Sequence, residues 1–517
     1  MTMADPTMTS PASPTSATAA PTSATVAPTA PASTNPPAQT SPAAHAAAVG
    51  TSAPTLRVAV VGSGPAGIYT AEALVKQVSA LAGGPGIEVD VLDRLPTPYG
   101  LVRYGVAPDH TSIKSIAGYL RRVLEYPRVR FLGGLRLGTD VTREALLSCY
   151  DAVVYATGAM RDRRLGVPGE DLPGSVAATD FVNWYCAHPD IDPAMFTLDA
   201  QAVAVIGVGN VAVDVARILA KTAAELRGTD VPEPVLAALE ASKIREVHMI
   251  GRRGPAQAKF TTKELRELGE LEGADIAVDP IEADLDAFDP TGESSRLAAS
   301  DRRVRGNMAV IRDWAGRLPQ GRPRRLSVRF WLRPVEIMGT ERVTGLRLER
   351  TRLDESGRVV GTGEYEVLQV QMVLRSVGYQ SVPLPGVPFD ERSATVPNAE
   401  GRVLGADEKP RPGEYVAGWL KRGPTGVIGT NKSDAAQTVR SLLADVEAGS
   451  RPTGSATARL LDVLAARGIR PVSYTDWLGI DQRELELGAE LGRGERVKLC
   501  GWEALNAACG AGPAADA

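Results

Sequence analysis

The 517-residue sequence has only four cysteines, Cys149, Cys186, Cys500 and Cys509, and no two of them stand at a CxxC or CxxxxC spacing. That excludes a disulfide framework and a clustered zinc or iron–sulfur site, so any redox chemistry must come from a bound cofactor. No apolar run approaches the roughly 18 residues needed to span a bilayer. Neither sign of charge dominates: 57 basic and 61 acidic side chains leave a formal net charge of -4, which argues against a broad nucleic-acid surface. Residues 1–54 lack Lys and Arg altogether and are almost entirely Ala, Pro, Ser and Thr. Such a tract cannot bury enough apolar surface to fold. Having no basic start and no arginines, it is expected to be neither a secretory signal nor a mitochondrial transit peptide. The expectation is a disordered tail on a soluble, cytoplasmic protein with no metal site.

What is present begins at Leu56. LRVAVVGSGPAGIYTAEALVKQ is a β-branched apolar run, a glycine turn and a helical pattern. After a glycine-rich break at 83–86, IEVDVLD reads as a second strand with Asp93 at its end, completing a βαβ unit. YDAVVYATG at 150–158 is a further buried strand. QAVAVIGVGNVAVDVARIL, from Gln201, repeats the strand, turn and helix, and its partner strand REVHMIG runs into Arg252 and Arg253.

In GSGPAG, Gly62 permits the tight turn, Gly64 lets the backbone approach a pyrophosphate and Gly67 allows close helix packing, with helix N-terminal amides facing the phosphates. Asp93 is placed to accept hydrogen bonds from ribose hydroxyls. In GVGNVA, with Gly207, Gly209 and Ala212, the strand that would end in a ribose-binding acid ends instead in two arginines. An acid there would repel a 2′-phosphate, whereas two guanidiniums offer it forked, charged donors, so this site should prefer NADP over NAD. The alternatives are a glycine turn without a ligand and a solvated basic turn. Two such sites in one chain suggest FAD and NADPH brought face to face for hydride transfer.

Longer strings add to this: PTPYGLVRYGVAPDH at 96–110, GVGNVAVDVARIL, GRRGPAQAKFTTKELREL at 251–268 and GWLKRGPTGVIGTNKSDAAQTV at 418–439. Together with GSGPAG they closely resemble the adrenodoxin reductase-like ferredoxin:NADP+ reductases, including the branch typified by mycobacterial enzymes. The resemblance implies an FAD site at Ala66, Gly67, Asp93 (usually Glu), Leu101, Leu137, Trp419, Gly426, Val427 and Ile428. It implies NADP contacts at Val208, Gly209, Asn210, Val211, Arg252, Arg253, Glu264 and Gly426. It places His110 beside the flavin, so His110 and Glu264 are the candidate catalytic residues, as groups that position nicotinamide or steer protons. Tyr99 stands where the family commonly has Trp or Phe. From the residues themselves, GPTGVIG makes sense as a segment whose glycines let amides approach flavin and nicotinamide, with the following helix favouring an anionic reduced ring.

The implied activity is hydride transfer from NADPH to FAD and then one-electron transfers to a ferredoxin, reversible in principle, with a cytochrome P450 system as one downstream acceptor. Ferredoxins of this partnership are generally acidic, and docking is expected near Arg266; the arginine run at 312–333 reads rather as a solvated face. Thioredoxin reductase-like enzymes would need a redox cysteine pair and the glutamate synthase small subunit a cysteine-rich region, and both are absent. A scaffold without turnover is the rival from outside enzymology. The expected fold class is α/β: two Rossmann-like, three-layer ββα domains, the NADP domain (160–373) inserted into an FAD domain made of 55–159 and 374–517. The last stretch is expected to pack on the FAD domain.

Overall fold

The structure, a computed structural model, describes residues 55–81, 86–449 and 458–510. The tail expected at 1–54 and much of the glycine-rich break lie outside the described residues.

The apolar runs become the centres of two sheets. The first has seven strands in the spatial order Asn398–Ala399, Arg402–Leu404, Pro410–Val416, Ala152–Tyr155, Leu56–Val61, Ile87–Leu92 and Val129–Leu132. Its five strands from Pro410–Val416 to Val129–Leu132 are parallel; the other two continue the edge antiparallel. The second sheet is parallel throughout, in the order Ser175–Ala177, Met372–Arg375, Ala202–Ile206, Glu246–Ile250, Arg324–Arg329 and Ala274–Val278. Strand Met372–Arg375 runs across the boundary expected at 373/374. Chain from both sides of the second sheet thus builds the first. Parallel pairing demands crossovers on the faces, which is why these strands are apolar on both sides.

Strand alternation assigns the layers. Val58 and Val60 pack on helix Pro65–Ser79, while Ala59 and Val61 face the cluster of Leu146, Val396 and Leu464. In the second sheet Val203 and Val205 face helix Asn210–Ala220. Ala202, Ala204 and Ile206 face Leu332, Leu346 and Leu348 of a three-stranded antiparallel sheet, Leu332–Met338, Gly345–Leu353 and Val359–Leu368. That half carries the three-layer ββα arrangement. Near the C-terminus, Trp477, Ile480, Leu505 and Ala508 join the core under the first sheet. Trp502, however, packs against the core of the second, and Arg493 pairs with Glu233 there. The last stretch therefore bridges both halves. Among the described residues no helix is long and apolar enough to cross a membrane, no group of side chains could hold a metal ion, and all four cysteines are free.

Candidate functional site

The first glycine turn is glycine for steric reasons that can be read atom by atom. Gly62 has φ +115°, and a Cβ there would lie 2.5 Å from the Ala156 carbonyl oxygen. A Cβ on Gly67 would lie 1.8 Å from the carbonyl oxygen of Gly62. Helix Pro65–Ser79 starts on Gly64 with no side-chain cap, so its first-turn amides are left for another acceptor.

Remote segments close on this turn. A Cβ on Gly100, φ +50°, would stand 2.9 Å from Gly64 Cα, and Tyr99 donates its N–H to the Ser63 carbonyl. Gly418, φ +74°, lies so near Ala66 that a Cβ would be 2.4 Å from the Ala66 Cβ. Leu101, first residue of helix Leu101–Tyr104, and Trp419, first of helix Trp419–Arg422, are thereby brought to the glycine turn. The Trp419 indole packs 5.6 Å from the Tyr379 ring, and its Nε1 is buried without a hydrogen-bond partner. Beyond it, Gly426 takes φ +83°, Val427 is 66% exposed, and helix Thr430–Glu447 begins on Gly429 without a side-chain cap. This segment thus combines an exposed apolar residue, an uncapped helix start and, earlier in the chain, a buried indole N–H that lacks an acceptor.

Asp93 ends its strand as expected but is already in use. Oδ2 accepts from the Ser63 N–H (2.8 Å) and Oγ (2.6 Å), and Oδ1 accepts from the Leu95 N–H (3.0 Å). With about four lone-pair sites on a carboxylate, one remains for a ribose hydroxyl. Leu137 is half-buried on a turn tied to this strand end, where Leu135 N–H bonds the Asp93 carbonyl.

In the second turn, a Cβ on Gly207 (φ +143°) would be 2.1 Å from the Ser376 oxygen, while around Gly209 there is open space. Asn210 Oδ1 accepts from the Thr261 N–H and the Val208 carbonyl from the Lys259 N–H, fastening the KFTTKEL segment beside the turn; Val211 lies half-buried on the same helix. Arg252 and Arg253 are exposed and form no ion pair among the described residues. The run at 312–333 contrasts with them: Arg317, Arg329 and Arg333 pair with Asp313, Glu282 and Glu349, and buried Arg324 donates to backbone carbonyls. Arg266 is exposed and also forms no ion pair among the described residues.

His110 and Glu264 are not brought together. Glu264 is the third residue of helix Thr262–Leu268; its carboxylate accepts from the Thr261 hydroxyl, whose oxygen faces the Glu264 N–H. The buried His110 instead places Nε2 2.7 Å from Glu267 Oε2 and Nδ1 3.7 Å from Asp214 Oδ1. Arg217 joins the group, bonding Asp109 at 2.8 and 2.9 Å and lying 2.9 Å from Asp214; Lys221 lies 2.9 Å from Asp109. Burial pushes Asp214 up to about 6, against the pull of Arg217 and His110. Burial also acts on Asp109, but its bonds to Arg217 and Lys221 outweigh it and hold that carboxyl well below the usual range. A cavity of about 500 Å³ opens onto this group. Asp109, Asp214, Arg217 and Glu267 were not among the residues expected from sequence; the available signal for Glu267 was its place one helical turn after Glu264.

Residues 56–270 match the family model described as pyridine nucleotide-disulphide oxidoreductase. Over 454 residues the chain is 46% identical to the NADPH-ferredoxin reductase FprA of Mycobacterium tuberculosis, covering 86% of this chain and 96% of that protein. It is 40% identical over 471 residues to the mitochondrial NADPH:adrenodoxin oxidoreductase of Arabidopsis thaliana, covering 88% and 95%. The solved structure of Mycobacterium tuberculosis FprA in complex with NADPH superposes with a TM-score of 0.81 at 44% identity, covering 89% of this chain and all of that one.

Proposed function

This chain belongs to the adrenodoxin reductase-like NADPH-ferredoxin reductases, and from that premise we infer that it is an FAD-dependent ferredoxin–NADP+ reductase whose two glycine turns hold the two nucleotides. The convergence of Gly100 and Gly418 on the first turn carries this reading, because it brings the uncapped helix start, the acid Asp93 and the Trp419 helix to one place.

FAD, when bound, would supply the electron chemistry, accepting a hydride and passing on single electrons, so that one NADPH would reduce two ferredoxins with release of one proton. The protein's part is placement. Gly62, whose own N–H is bonded to the Leu92 carbonyl, makes the tight turn, Gly64, Ala66 and Gly67 would present backbone to the FAD pyrophosphate, and Asp93 would offer its remaining lone pair to the ribose. Leu101, Leu137 and Trp419 enclose the flavin, with Trp419 Nε1 available as a donor. Gly426, Val427 and Ile428 carry the backbone against the ring, Gly426 also toward nicotinamide. Val208, Gly209, Asn210 and Val211 cradle the NADP pyrophosphate, Arg252 and Arg253 take its 2′-phosphate, and Glu264 orders the adjacent helix start. His110 and Glu267 hold a proton between Nε2 and Oε2 near the reacting rings. In domain terms, 55–159 with the chain after 375 would hold FAD and 160–375 would hold NADP, the second boundary moved from 373/374 because strand Met372–Arg375 belongs wholly to the second sheet.

The partner is a ferredoxin, and its finer description is our reading: an acidic ferredoxin docking near the unpaired Arg266, serving an acceptor such as a cytochrome P450 system. Four free thiols fit a reducing compartment such as the cytoplasm. The deciding experiment is spectroscopic. The purified protein should be yellow, bleach with NADPH, and recover colour with ferricyanide or ferredoxin, with ferredoxin-dependent cytochrome c reduction; a colourless protein that still binds NADPH would mark a scaffold.

A further inference from the structure

Residues 101–114 leave the first glycine turn, carry His110 and end in helix Thr111–Lys114, whose N-cap is His110. Both ends of this loop are held by one carboxylate outside it. At the far end Lys114 donates Nζ to both oxygens of Asp230 at 2.5 Å. At the near end Lys498, almost fully buried, donates Nζ to the Arg103 carbonyl at 2.7 Å and lies 3.3 Å from Asp230 Oδ2. The Arg103 guanidinium is in turn clamped by the fully buried Glu484, which also accepts from the Leu499 N–H. Asp230 belongs to the half of the chain that carries the second glycine turn, just before helix Glu233–Glu240.

A buried ammonium is expensive unless its partners are fixed. Lys498 has two polar partners drawn from two parts of the chain, a carbonyl on the His110 loop and a carboxylate on the second half, and Lys114 of the same loop binds that carboxylate from its other side. We propose that Lys498 and Asp230 are positioning residues for His110, pinning residues 101–114 at both ends to the half of the chain that carries the second glycine turn. Two other crossings from the same C-terminal stretch, Arg493 to Glu233 and Trp502 Nε1 to Asp190, touch the second half without touching this loop. They keep the stretch docked when Lys498 is altered, and Lys114 keeps Asp230 paired. The inference rests on the functional reading above, since the loop matters to turnover only if His110 lies beside the reacting rings.

The test uses the full-length holoprotein with Lys498→Met, which keeps an unbranched four-atom stem and removes the ammonium, and Asp230→Asn. In hydrogen exchange, peptides covering 101–114 should exchange at least fivefold faster in both variants. In stopped flow, flavin bleaching at saturating NADPH should slow at least fivefold per bound flavin, with the NADP+ dissociation constant within twofold of the parent. The double variant should be no slower than the slower single one, as expected of residues acting as a unit. Unchanged exchange over 101–114, or an unchanged bleaching rate per bound flavin beside lower thermal stability, would overturn the proposal. Should the unaltered protein fail to bleach with NADPH, the functional reading falls, while the exchange measurement still decides whether Lys498 and Asp230 pin the loop.

Discussion

Nε2 of His110 lies 2.7 Å from Oε2 of Glu267, although the two residues are 157 positions apart in the chain. Glu264, one turn earlier on the same helix, is folded back onto Thr261 and forms no side-chain hydrogen bond to another segment among the described residues. The helix Thr262–Leu268 thus separates two tasks: its first turn orders its own start, and its second presents a carboxylate to the imidazole.

That separation predicts different phenotypes. Glu267→Gln should lower kcat/KM for NADPH by roughly tenfold, less than the usual effect of a general base because hydride transfer itself moves no proton through the pair. Thr261→Ala removes a helix cap and should cost about 1 kcal/mol of stability, with a smaller effect on the rate. Steady-state ferricyanide reduction and urea denaturation on the same samples check both.

Arg252 and Arg253 bear on coenzyme choice. Their guanidiniums are exposed and unpaired among the described residues, so they are available to a 2′-phosphate at no cost in broken ion pairs. A charge-assisted hydrogen bond contributes about 1.5 to 3 kcal/mol, so Arg252→Ala should cut the NADPH over NADH preference by roughly 10- to 100-fold. The fall should be in kcat/KM for NADPH with that for NADH nearly constant. An unchanged ratio would remove Arg252 from the site.

Arg266 should act at longer range. An exposed cation steering an acidic partner changes association more than chemistry. Arg266→Glu is expected to raise the KM for ferredoxin and flatten its dependence on salt between about 10 mM and 150 mM, where the screening length shrinks from roughly 30 to 8 Å. Ferricyanide reduction by the same variant should be unaltered. Ferredoxin rates insensitive to salt in the unaltered protein would place docking elsewhere.

The features legible in the sequence were local ones. Both glycine turns, the acid at 93 and the arginine pair after strand Glu246–Ile250 lie within one βαβ unit each, so spacing alone located them. The His110–Glu267 pair and the Arg217–Asp109 pair were not legible, because each joins segments more than a hundred residues apart and no periodicity encodes such a meeting. Asp93 shows a subtler limit: its position was readable, but its engagement with Ser63 was not, since any polar residue in the turn could have faced elsewhere. Leu346 and Leu348 in strand Gly345–Leu353 alternate with polar residues, the period-two pattern of a sheet with one buried face.

Lys114 gives the fold a pH signature on the alkaline side. Burial, with Lys498 nearby, pulls its amine down to about 8 against the opposing charge of Asp230; Cys186, also facing this group, is pushed up by burial. In the unfolded chain the amine titrates near 10.5. Between those values the unfolded state binds the extra proton, so stability rises as pH rises from about 8 to 10.5, by about 3 kcal/mol at most. Lys498, raised by Asp230 despite its burial, contributes the opposite trend only above 10.5. Lys114→Met should flatten the rise, as read from urea midpoints across that window; an equally steep rise in the variant would assign it to another group.

Gly418 offers a test of the junction itself. Its Cβ would stand 2.4 Å from the Ala66 Cβ, and its φ of +74° is unfavourable for any side chain, so Gly418→Ala meets two separate penalties. The first is steric and depends on Ala66; the second is conformational, of about 1 to 3 kcal/mol with ψ at -145°, and does not. Pushing the Trp419 helix off the first glycine turn should lower FAD occupancy well before it unfolds either sheet, because the strands beneath pair without it. Adding Ala66→Gly frees the space but leaves φ unchanged. The double variant should therefore recover part of the lost flavin, measured as the ratio of visible to protein absorbance after desalting. Recovery to the full parental ratio would mean that φ costs nothing here, and no recovery would mean that the close approach of Gly418 to Ala66 does not hold the site together.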